Sequence, residues 1–427
     1  MDELKELKII MVAPRGIGKT SLLAAMHEEF DKTFEQANLT TWTTDSKTLV
    51  AIDECKQILR QIDPRLKTKV TPTPIQDDPW NDEGFMFEIG SGNKKFMKLR
   101  FTDPSGEYLK LGAIQDQKEY VKQQLNECDA VVIPIDATAL MQKKNGKVNE
   151  HEIGDWHEDK NAPKRITALL KDAYTSLTVP RLIILAPIKC ETYMRTPKDA
   201  NDLLNHVKLG YHQLLEFFKS DELFNKIAVV VTPVQTIGNV TFAYWTHDPT
   251  EPGFTKFDYY KTPINAPYAP QDGEQPLRYI LRFLLNVYVE TKKEQLENDK
   301  KSLAMFEAQL DKRNRDLESA KKELNEKEDS WKKRNQMWWL FRDIANLFDD
   351  KSFSYEAANN KFKKSKACFH ESQANFDEIQ TKVRATQEQI EAFNNAVFNF
   401  AIGCKDRDGF AVLQGRQKWL PVPRQIG

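Results

Sequence analysis

Residues 13–20 have the residue types and spacing of a phosphate-binding loop. They read Ala-Pro-Arg-Gly-Ile-Gly-Lys-Thr, which is the pattern GxxxxGK(S/T) with Ala13 in place of the first glycine. Small residues let backbone N–H groups curl around phosphate oxygens, and the helix that follows adds partial positive charge. We expect Lys19 to bridge the β- and γ-phosphates as a catalytic residue and Thr20 to bind Mg²⁺. The expected nucleotide contacts form one run: Ala13, Pro14, Arg15, Gly16, Ile17, Gly18, Lys19, Thr20 and Ser21.

A second segment, Asp103-Pro-Ser-Gly106, supplies a carboxylate where an apolar run ends. Asp103 is placed to hold the Mg²⁺ shell, and the N–H of Gly106 to meet the γ-phosphate. Taken alone, the same four residues also make a good β-turn. The phosphate-binding loop upstream favours the metal-site interpretation.

The elements that must position these residues alternate between apolar strands and helices. Apolar runs bounded by turn residues stand at 8–13, 96–102, 131–136, 181–186 and 227–232. Helical patterns cover 20–30, 108–126 and 164–176. This order predicts an α/β fold, a P-loop NTPase domain over residues 1–290 with a mostly parallel sheet and helices on both faces.

Two parts of that domain depart from the alternation. Residues 85–89 and 95–102 are joined by GSGNKK and predict a hairpin at the sheet edge. The polar stretches 31–84 and 142–162 predict long loops or insertions rather than core.

Beyond residue 290 the sequence is a long charged helical pattern with two heptad arrays. The first array comprises Leu296, Leu303, Leu310, Leu317, Leu324, Trp331, Trp338 and Ala345. The second comprises Tyr355, Phe362, Phe369, Phe376, Val383, Ile390 and Val397. Arrays of similar length around a break predict an antiparallel coiled-coil hairpin over 291–403, with a tip near 337–354 and a tail at 404–427. A parallel homodimeric coiled coil is the alternative, so a homo-oligomer stays open.

The predicted tip is rich in large apolar residues, Met337-Trp-Trp-Leu-Phe341. They either close the hairpin as a local cluster or dock a partner. Because the tip lacks a strong Lys/Arg cluster, we favour a protein partner over a lipid surface.

Together these motifs resemble the TRAFAC class of P-loop GTPases, the Ras-like and translation-factor-related proteins, over residues 7 to about 290. For reading guanine the class uses Asn/Thr-Lys-x-Asp, where this chain has Ile188-Lys-Cys-Glu191. The resemblance places Lys189 against the guanine ring and Glu191 on its N1 and N2 protons. It also places Thr232 and Pro233 in the loop that touches the base. The absent Asn and the longer acid leave ATP open as the nucleotide.

The same resemblance assigns the residues of turnover. A switch threonine must precede the strand FMFEI, and we favour Thr73 over Thr71 as a metal ligand and catalytic residue. Glu107 stands where small GTPases carry a water-orienting Gln; the alternative is a solvated glutamate at the start of a helix. Arg15 stands over the γ-phosphate, where it acts as an arginine finger, is solvated, or pairs with an acidic neighbour.

Composition excludes several function classes. Lys+Arg (62) and Asp+Glu (63) nearly cancel, so no nucleic-acid partner is expected. No apolar run approaches the roughly 18 residues of a transmembrane segment. Five scattered cysteines and a functional motif by residue 13 predict a cytoplasmic protein without a signal peptide.

The sequence therefore predicts a hydrolase that uses GTP (or ATP) with Mg²⁺ and couples nucleotide state to partner contacts through the hairpin. A P-loop ATPase is one alternative. A low-turnover, nucleotide-dependent scaffold is another. The segments APRGIGKTSLL, DPSGE and TPVQT also resemble bacterial GTPases that carry a coiled coil, including those of defence operons.

Overall fold

The structure is a computed structural model that describes residues 5–43, 46–60, 84–91, 94–109, 113–144, 146–247, 255–261, 263, 265–338 and 349–421. Its strands are β1 (Lys5–Met11), β2 (Thr40–Thr43), β3 (Phe85–Ser91), β4 (Lys94–Thr102), β5 (Ala130–Asp136), β6 (Gln142–Lys143), β7 (Gly146–Lys147), β8 (Arg181–Ile188), β9 (Ile227–Val231), β10 (Val240–His247), β11 (Thr255–Lys261) and β12 (Ala411–Gln414).

The helices are α1 (Lys19–Glu28), α2 (Phe30–Glu35), α3 (Ser46–Arg60), α4 (Gln115–Glu127), α5 (Ala137–Met141), α6 (His157–Asn161), α7 (Pro163–Ala173), α8 (Pro197–Gly210), α9 (His212–Phe218), α10 (Asp221–Phe224), α11 (Glu274–Trp338) and α12 (Asp349–Gly403). Local chemistry sets several of their starts. Proline occupies the first turn of α7 and of α8, and the Thr196 hydroxyl accepts the N–H of Asp199 to cap α8.

Eight strands form one sheet in the order β12-β9-β8-β5-β1-β4-β3-β2. The five central strands, β9 to β4 in that order, pair in parallel. Strands β5, β8 and β9 are buried along their whole length, because helices cover both faces of the sheet. The predicted fold class, a mostly parallel α/β domain followed by long helices, is confirmed.

The structure corrects two predictions about the edge of the sheet. The hairpin of β3 and β4 is present, but the edge strand is β2, which pairs antiparallel with β3. The stretch 31–84 is also not all loop, since it contains β2, α3 and all of α2 except its first residue. In α3, Ile52, Cys55 and Leu59 recur at helical spacing and are buried. Their apolar stripe is narrow, so the polar residues around it hid the helix.

The stretch 142–162 likewise contains structure rather than loop alone. Strands β6 and β7 pair as a short antiparallel ribbon, and α6 follows them. His157 and Asn161 of α6 are buried in the domain. Short, polar elements of this kind carry too little hydrophobic periodicity to be recognised in sequence.

Contacts divide the chain into two units, Met1–Val287 with Asn394–Gly427, and Tyr288–Phe393. In the first unit the segment after α12 returns to the sheet, where β12 pairs antiparallel with β9. Gln275 and Tyr279 of α11 bond the backbone of Gly403 and Lys405. The first unit is thus built from the chain segments that precede and follow the second unit in sequence.

Within the second unit, α11 and α12 pack against each other in opposite directions. As numbers rise along α11, those of the partners on α12 fall: Tyr288 with Phe393, Asp299 with Lys382, Glu323 with Lys361 and Trp331 with Tyr355. The fully buried positions include Leu296, Ala320, Ala358, Val383 and Ile390. Most other seam residues are only half-buried, as a two-helix seam requires.

The aromatic tip segment at 339–348 lies outside the described residues, as does the side chain of Trp338. In the described part of the chain, no helix is both long and apolar enough to cross a membrane.

Candidate functional site

Five parallel strands end at one edge of the sheet, and each is followed by a polar segment. The loop 13–18 follows β1, Asp103–Gly106 follows β4, and Lys189–Glu191 follows β8. Thr232 follows β9, and β5 ends in Asp136. Parallel strands place their carboxyl ends together, and α/β sheets bind ligands at that edge.

The loop between β1 and α1 has the backbone of a phosphate cradle. Gly16 and Gly18 adopt φ values of 77° and 116°, which favour glycine. A Cβ at Gly16 would meet open space, so the backbone there can approach a ligand. A Cβ at Gly106 would lie 2.1 Å from the backbone N of Arg15, so this glycine lets the two loops touch.

The three residues expected to handle phosphate and metal lie together. The Lys19 ammonium is 3.3 Å from Asp103 Oδ1 and donates to the backbone oxygen of Pro104 at 2.6 Å. The Thr20 hydroxyl is 3.5 Å from Asp103 Oδ2. Lys19 and Asp103 are both buried. A hydroxyl beside a carboxylate is an oxygen donor set that suits Mg²⁺, so these residues fit the implied metal.

Arg15 and Glu107 contact each other at the outer side of this cluster. A guanidinium N–H of Arg15 lies 3.3 Å from Glu107 Oε1, with the arginine side chain 48% exposed and the glutamate 14% exposed. The two candidate residues for turnover are therefore engaged with one another in this structure.

Lys189 joins the β8 loop to the phosphate loop. Its backbone has φ 53°, in the left-handed region that non-glycine residues rarely adopt. The ammonium donates to Asp136 Oδ2 at 2.6 Å and lies 3.4 Å from the carbonyl oxygen of Gly16. The aliphatic stem therefore crosses the space between the two loops.

Glu191 is buried at the start of a short 3₁₀ turn, with 5% of the residue exposed. Its Oε1 accepts the N–H of Ile237 at 3.0 Å, while its Oε2 has no hydrogen-bond partner among the described residues. Burial raises the pKa of Glu191 to about 6, although the hydrogen bond from the Ile237 N–H acts in the opposite direction and lowers that pKa. A buried carboxylate with one free oxygen can accept protons from a ligand.

The remaining predicted residues fall around this edge. Ala13, Ile17 and Ser21 are buried supports of the loop and of α1, and Pro14 is half-buried. Thr232 and Pro233 are buried beyond β9, where the N–H of Thr232 bonds the Leu185 carbonyl. Thr73 and Thr71 lie outside the described residues.

Asp136 and its supporting residue Asn161 belong to no motif that the sequence predicted. The Asp136 carboxylate is 1% exposed and receives Lys189, while its backbone is bonded by the Asn161 side chain. One signal was available: the apolar run 131–136 ends in an aspartate, at the same edge as the other motifs. The sequence gives no signal for Asn161, because its role depends on a hydrogen bond to Asp136, which lies 25 residues earlier in the sequence.

A family of known proteins resembles this chain. The model of the family described as Double-GTPase 2 matches residues 9–232, which run from within β1 to the residue after β9. The matched range includes the phosphate loop, Asp103, Lys189 and Glu191. No curated protein matches the chain.

Proposed function

The chain belongs to the Double-GTPase 2 family, and on that premise we propose that it binds and hydrolyses GTP with Mg²⁺ as a nucleotide-dependent switch of the TRAFAC class. The convergence of Lys19, Asp103 and Lys189 around one loop carries the proposal. The strand order supports the class, since the antiparallel strand β3 pairs with β4, and β4 lies next to β1 among the parallel strands.

The phosphates occupy the loop 13–18 in this proposal. Backbone N–H groups of the loop and the first turn of α1 face the phosphate oxygens. Lys19 exchanges its backbone partner, the Pro104 carbonyl, for the β- and γ-phosphates. Gly106 supplies an N–H to the γ-phosphate. Thr20 and Asp103, with Thr73, would hold Mg²⁺, which neutralises phosphate charge when bound.

The base lies between Lys189 and Glu191. The stem of Lys189 packs on the guanine ring, and the free Oε2 of Glu191, with Oε1, accepts the N1 and N2 protons. Adenine offers no such pair of protons at that edge, so Glu191 favours GTP over ATP. Thr232 and Pro233 support the loop that closes the site behind the base.

Arg15 and Glu107 are the proposed residues of turnover. Glu107 orients the attacking water, and Arg15 stabilises charge on the transferring phosphoryl group. Both require their mutual contact at 3.3 Å to open. That contact also supports a second candidate function, a scaffold that binds nucleotide but turns it over slowly.

The helices α11 and α12 provide the output of the switch. Because α11 belongs to both units, a shift of its first turns at the nucleotide domain is passed along a continuous helix. We expect a protein partner, or a second copy of the chain, to be contacted by the hairpin and its aromatic tip.

Nucleotide titration with Mg²⁺ tests the proposal. Calorimetry should show GTP binding more tightly than ATP, and Lys19→Ala should abolish binding of both while the circular dichroism spectrum stays unchanged. Steady-state phosphate release then separates a hydrolase from a scaffold. Tighter binding of ATP would establish the ATPase alternative, and wild-type affinity in Lys19→Ala would overturn the site.

A further inference from the structure

We propose that Asp136 is a positioning residue for base recognition, which acts through Lys189 and touches no part of the nucleotide. This inference rests on the proposed function, because it assigns Asp136 the task of holding Lys189 where the base binds. It concerns a carboxylate at the end of β5 that has no part in the motifs of the sequence.

The contact between the two side chains is short and sheltered. Asp136 Oδ2 accepts the Lys189 ammonium at 2.6 Å, with the aspartate side chain 1% exposed and the lysine 21% exposed. A charge-assisted hydrogen bond in such surroundings is stronger than one in water. Lys189 is also fixed at its backbone by φ 53°, so both ends of its side chain are held.

The Asp136 carboxylate cannot rotate away from the lysine, because its other oxygen is occupied. Oδ1 accepts the N–H of Thr138 at 3.0 Å, the Thr138 hydroxyl at 2.6 Å and the N–H of Ala139 at 3.1 Å. These are the bonds of a helix N-cap, and they orient Oδ2 toward Lys189.

A buried amide fixes the Asp136 backbone in the same way. Asn161 Oδ1 accepts the Asp136 N–H at 2.7 Å, and Asn161 Nδ2 donates to the Asp136 carbonyl at 3.1 Å. Asn161 Nδ2 also lies 3.0 Å from His157 Nδ1. Burial lowers the pKa of His157 to about 4, so at neutral pH its ring is uncharged and Nδ1 can accept that bond. Asp136 is thus held in position at both its side chain and its backbone.

The substitution Asp136→Asn separates anchoring from capping. The remaining amide oxygen can still accept the bonds from Thr138 and Ala139, whereas the amide nitrogen would face the Lys189 ammonium donor to donor. We expect the lysine to leave its position while α5 keeps its cap. The experiment measures binding of Mg·GTP and of inorganic tripolyphosphate, which has no base, to the full-length chain.

Asp136→Asn should weaken GTP binding about tenfold, the effect of one charged hydrogen bond, and leave tripolyphosphate binding within about twofold. In a Lys189→Ala background the same substitution should change GTP binding no further, since its target is gone. Asp199→Asn is the matched control, because the Asp199 carboxylate also lies at a helix N-terminus, where it accepts the Thr196 hydroxyl at the start of α8. This variant should change the affinity for neither GTP nor tripolyphosphate.

Equal losses of GTP and tripolyphosphate, an unchanged GTP affinity, or the same loss in the Lys189→Ala background would each overturn the inference alone. A wild-type chain that binds GTP no better than tripolyphosphate would overturn the proposed base site as well. If Asp136→Asn does not fold, Thr138→Val replaces it, because loss of that hydroxyl removes one of the three hydrogen bonds to Oδ1 and leaves the partner of Oδ2, Lys189, in place. It should give a smaller loss for GTP, again absent without Lys189.

Discussion

The pKa of Glu191 makes base recognition depend on pH. Burial raises that pKa to about 6 in the free protein, and only the ionised carboxylate accepts both guanine protons. GTP affinity should therefore fall about tenfold for each pH unit below 6, because a proton must leave on binding. Calorimetry between pH 5 and pH 8 checks this, and tripolyphosphate is the reference, because its terminal phosphate also titrates at about pH 6 while its binding should lack the additional slope.

The raised pKa of Glu191 also makes the stability of the fold depend on pH. As pH falls, GTP affinity should decrease, whereas the contribution of this group to the free energy of unfolding should increase. Because the folded pKa lies above the ordinary glutamate pKa of 4.5, this group stabilises the fold below pH 4.5, and the contribution is lost as pH rises through about 6. The loss is on the order of 2 kcal/mol. In Glu191→Gln the free energy of unfolding, measured with urea, should lack this component and rise relative to wild type between pH 4.5 and 7. Parallel pH profiles for the two chains would contradict the assignment.

Arg15 offers a prediction about turnover alone. If it stabilises the transferring phosphoryl group, Arg15→Ala should lower kcat by about a thousandfold, as for other arginine fingers, with GTP affinity within about threefold. Single-turnover hydrolysis and equilibrium binding separate the two effects. The control is Arg60→Ala, whose guanidinium pairs with Glu28 on α1 away from the loop. Faster turnover in Arg15→Ala would mean that the contact with Glu107 restrains catalysis.

At the scale of the structural elements, the phosphate loop and the Asp103 loop are in close backbone contact. A Cβ at Gly106 would lie 2.1 Å from Arg15 N and 2.4 Å from Pro14 C, and backbone cannot yield as a side chain can. Gly106→Ala should therefore weaken Mg·GTP binding by at least tenfold, about 1.4 kcal/mol. Gly146→Ala is the control for backbone strain alone: its φ of 139° disfavours a side chain, but its Cβ would meet open space on an exposed turn. Equal affinities in both variants would show that the loops separate readily.

Elements with strong apolar runs were predictable, and those stabilised by tertiary contacts were not. The runs at 131–136 and 181–186 became β5 and β8 because central parallel strands are apolar on both faces. Strands β10 and β11 form a separate two-stranded sheet, and polar residues interrupt the apolar residues of both strands. Their Thr, Phe, Tyr and Trp content was the one available signal.

The site divides in the same manner. Lys19, Asp103 and Lys189 were predictable because each follows a recognisable strand and belongs to a motif with a chemical reason. Asp136 belongs to no motif, and its role depends on Lys189, 53 residues away in sequence. For Arg15, the sequence predicted pairing with an acidic neighbour but could not identify it as Glu107. The two residues are on different loops, 92 residues apart in sequence, and the local sequence does not determine the distance between two loops.

At the scale of the whole molecule, the second unit is an insertion whose ends are adjacent. The Tyr288 and Phe393 rings have centroids 5.2 Å apart, so a short Gly/Ser linker can replace residues 288–393. Because β12 and the start of α11 remain, this deletion should leave GTP affinity within about threefold and a single thermal transition. Calorimetry and thermal unfolding measure both.

A matched variant shortens the hairpin instead of removing it. Deleting residues 310–323 and 361–374 takes two heptads from each helix, which keeps the seam in register. Partner capture or self-association, followed by light scattering with and without GTP, should be lost in the full deletion and altered in the short hairpin. Loss of GTP binding in the full deletion would show that the first unit does not fold without the hairpin.

The pairing of β12 with β9 also sets an order of events during synthesis. Strand β9 leaves the ribosome early, but its antiparallel neighbour follows only after residues 232–410, which include the entire hairpin. At roughly 5–20 residues per second, that interval lasts about ten to forty seconds. Throughout it, the sequence IAVVV presents an open, apolar strand edge, which is a template for association between nascent chains. Chains truncated before residue 411 should therefore accumulate as aggregates in cells, and co-translational chaperones should be recruited while the hairpin is being made.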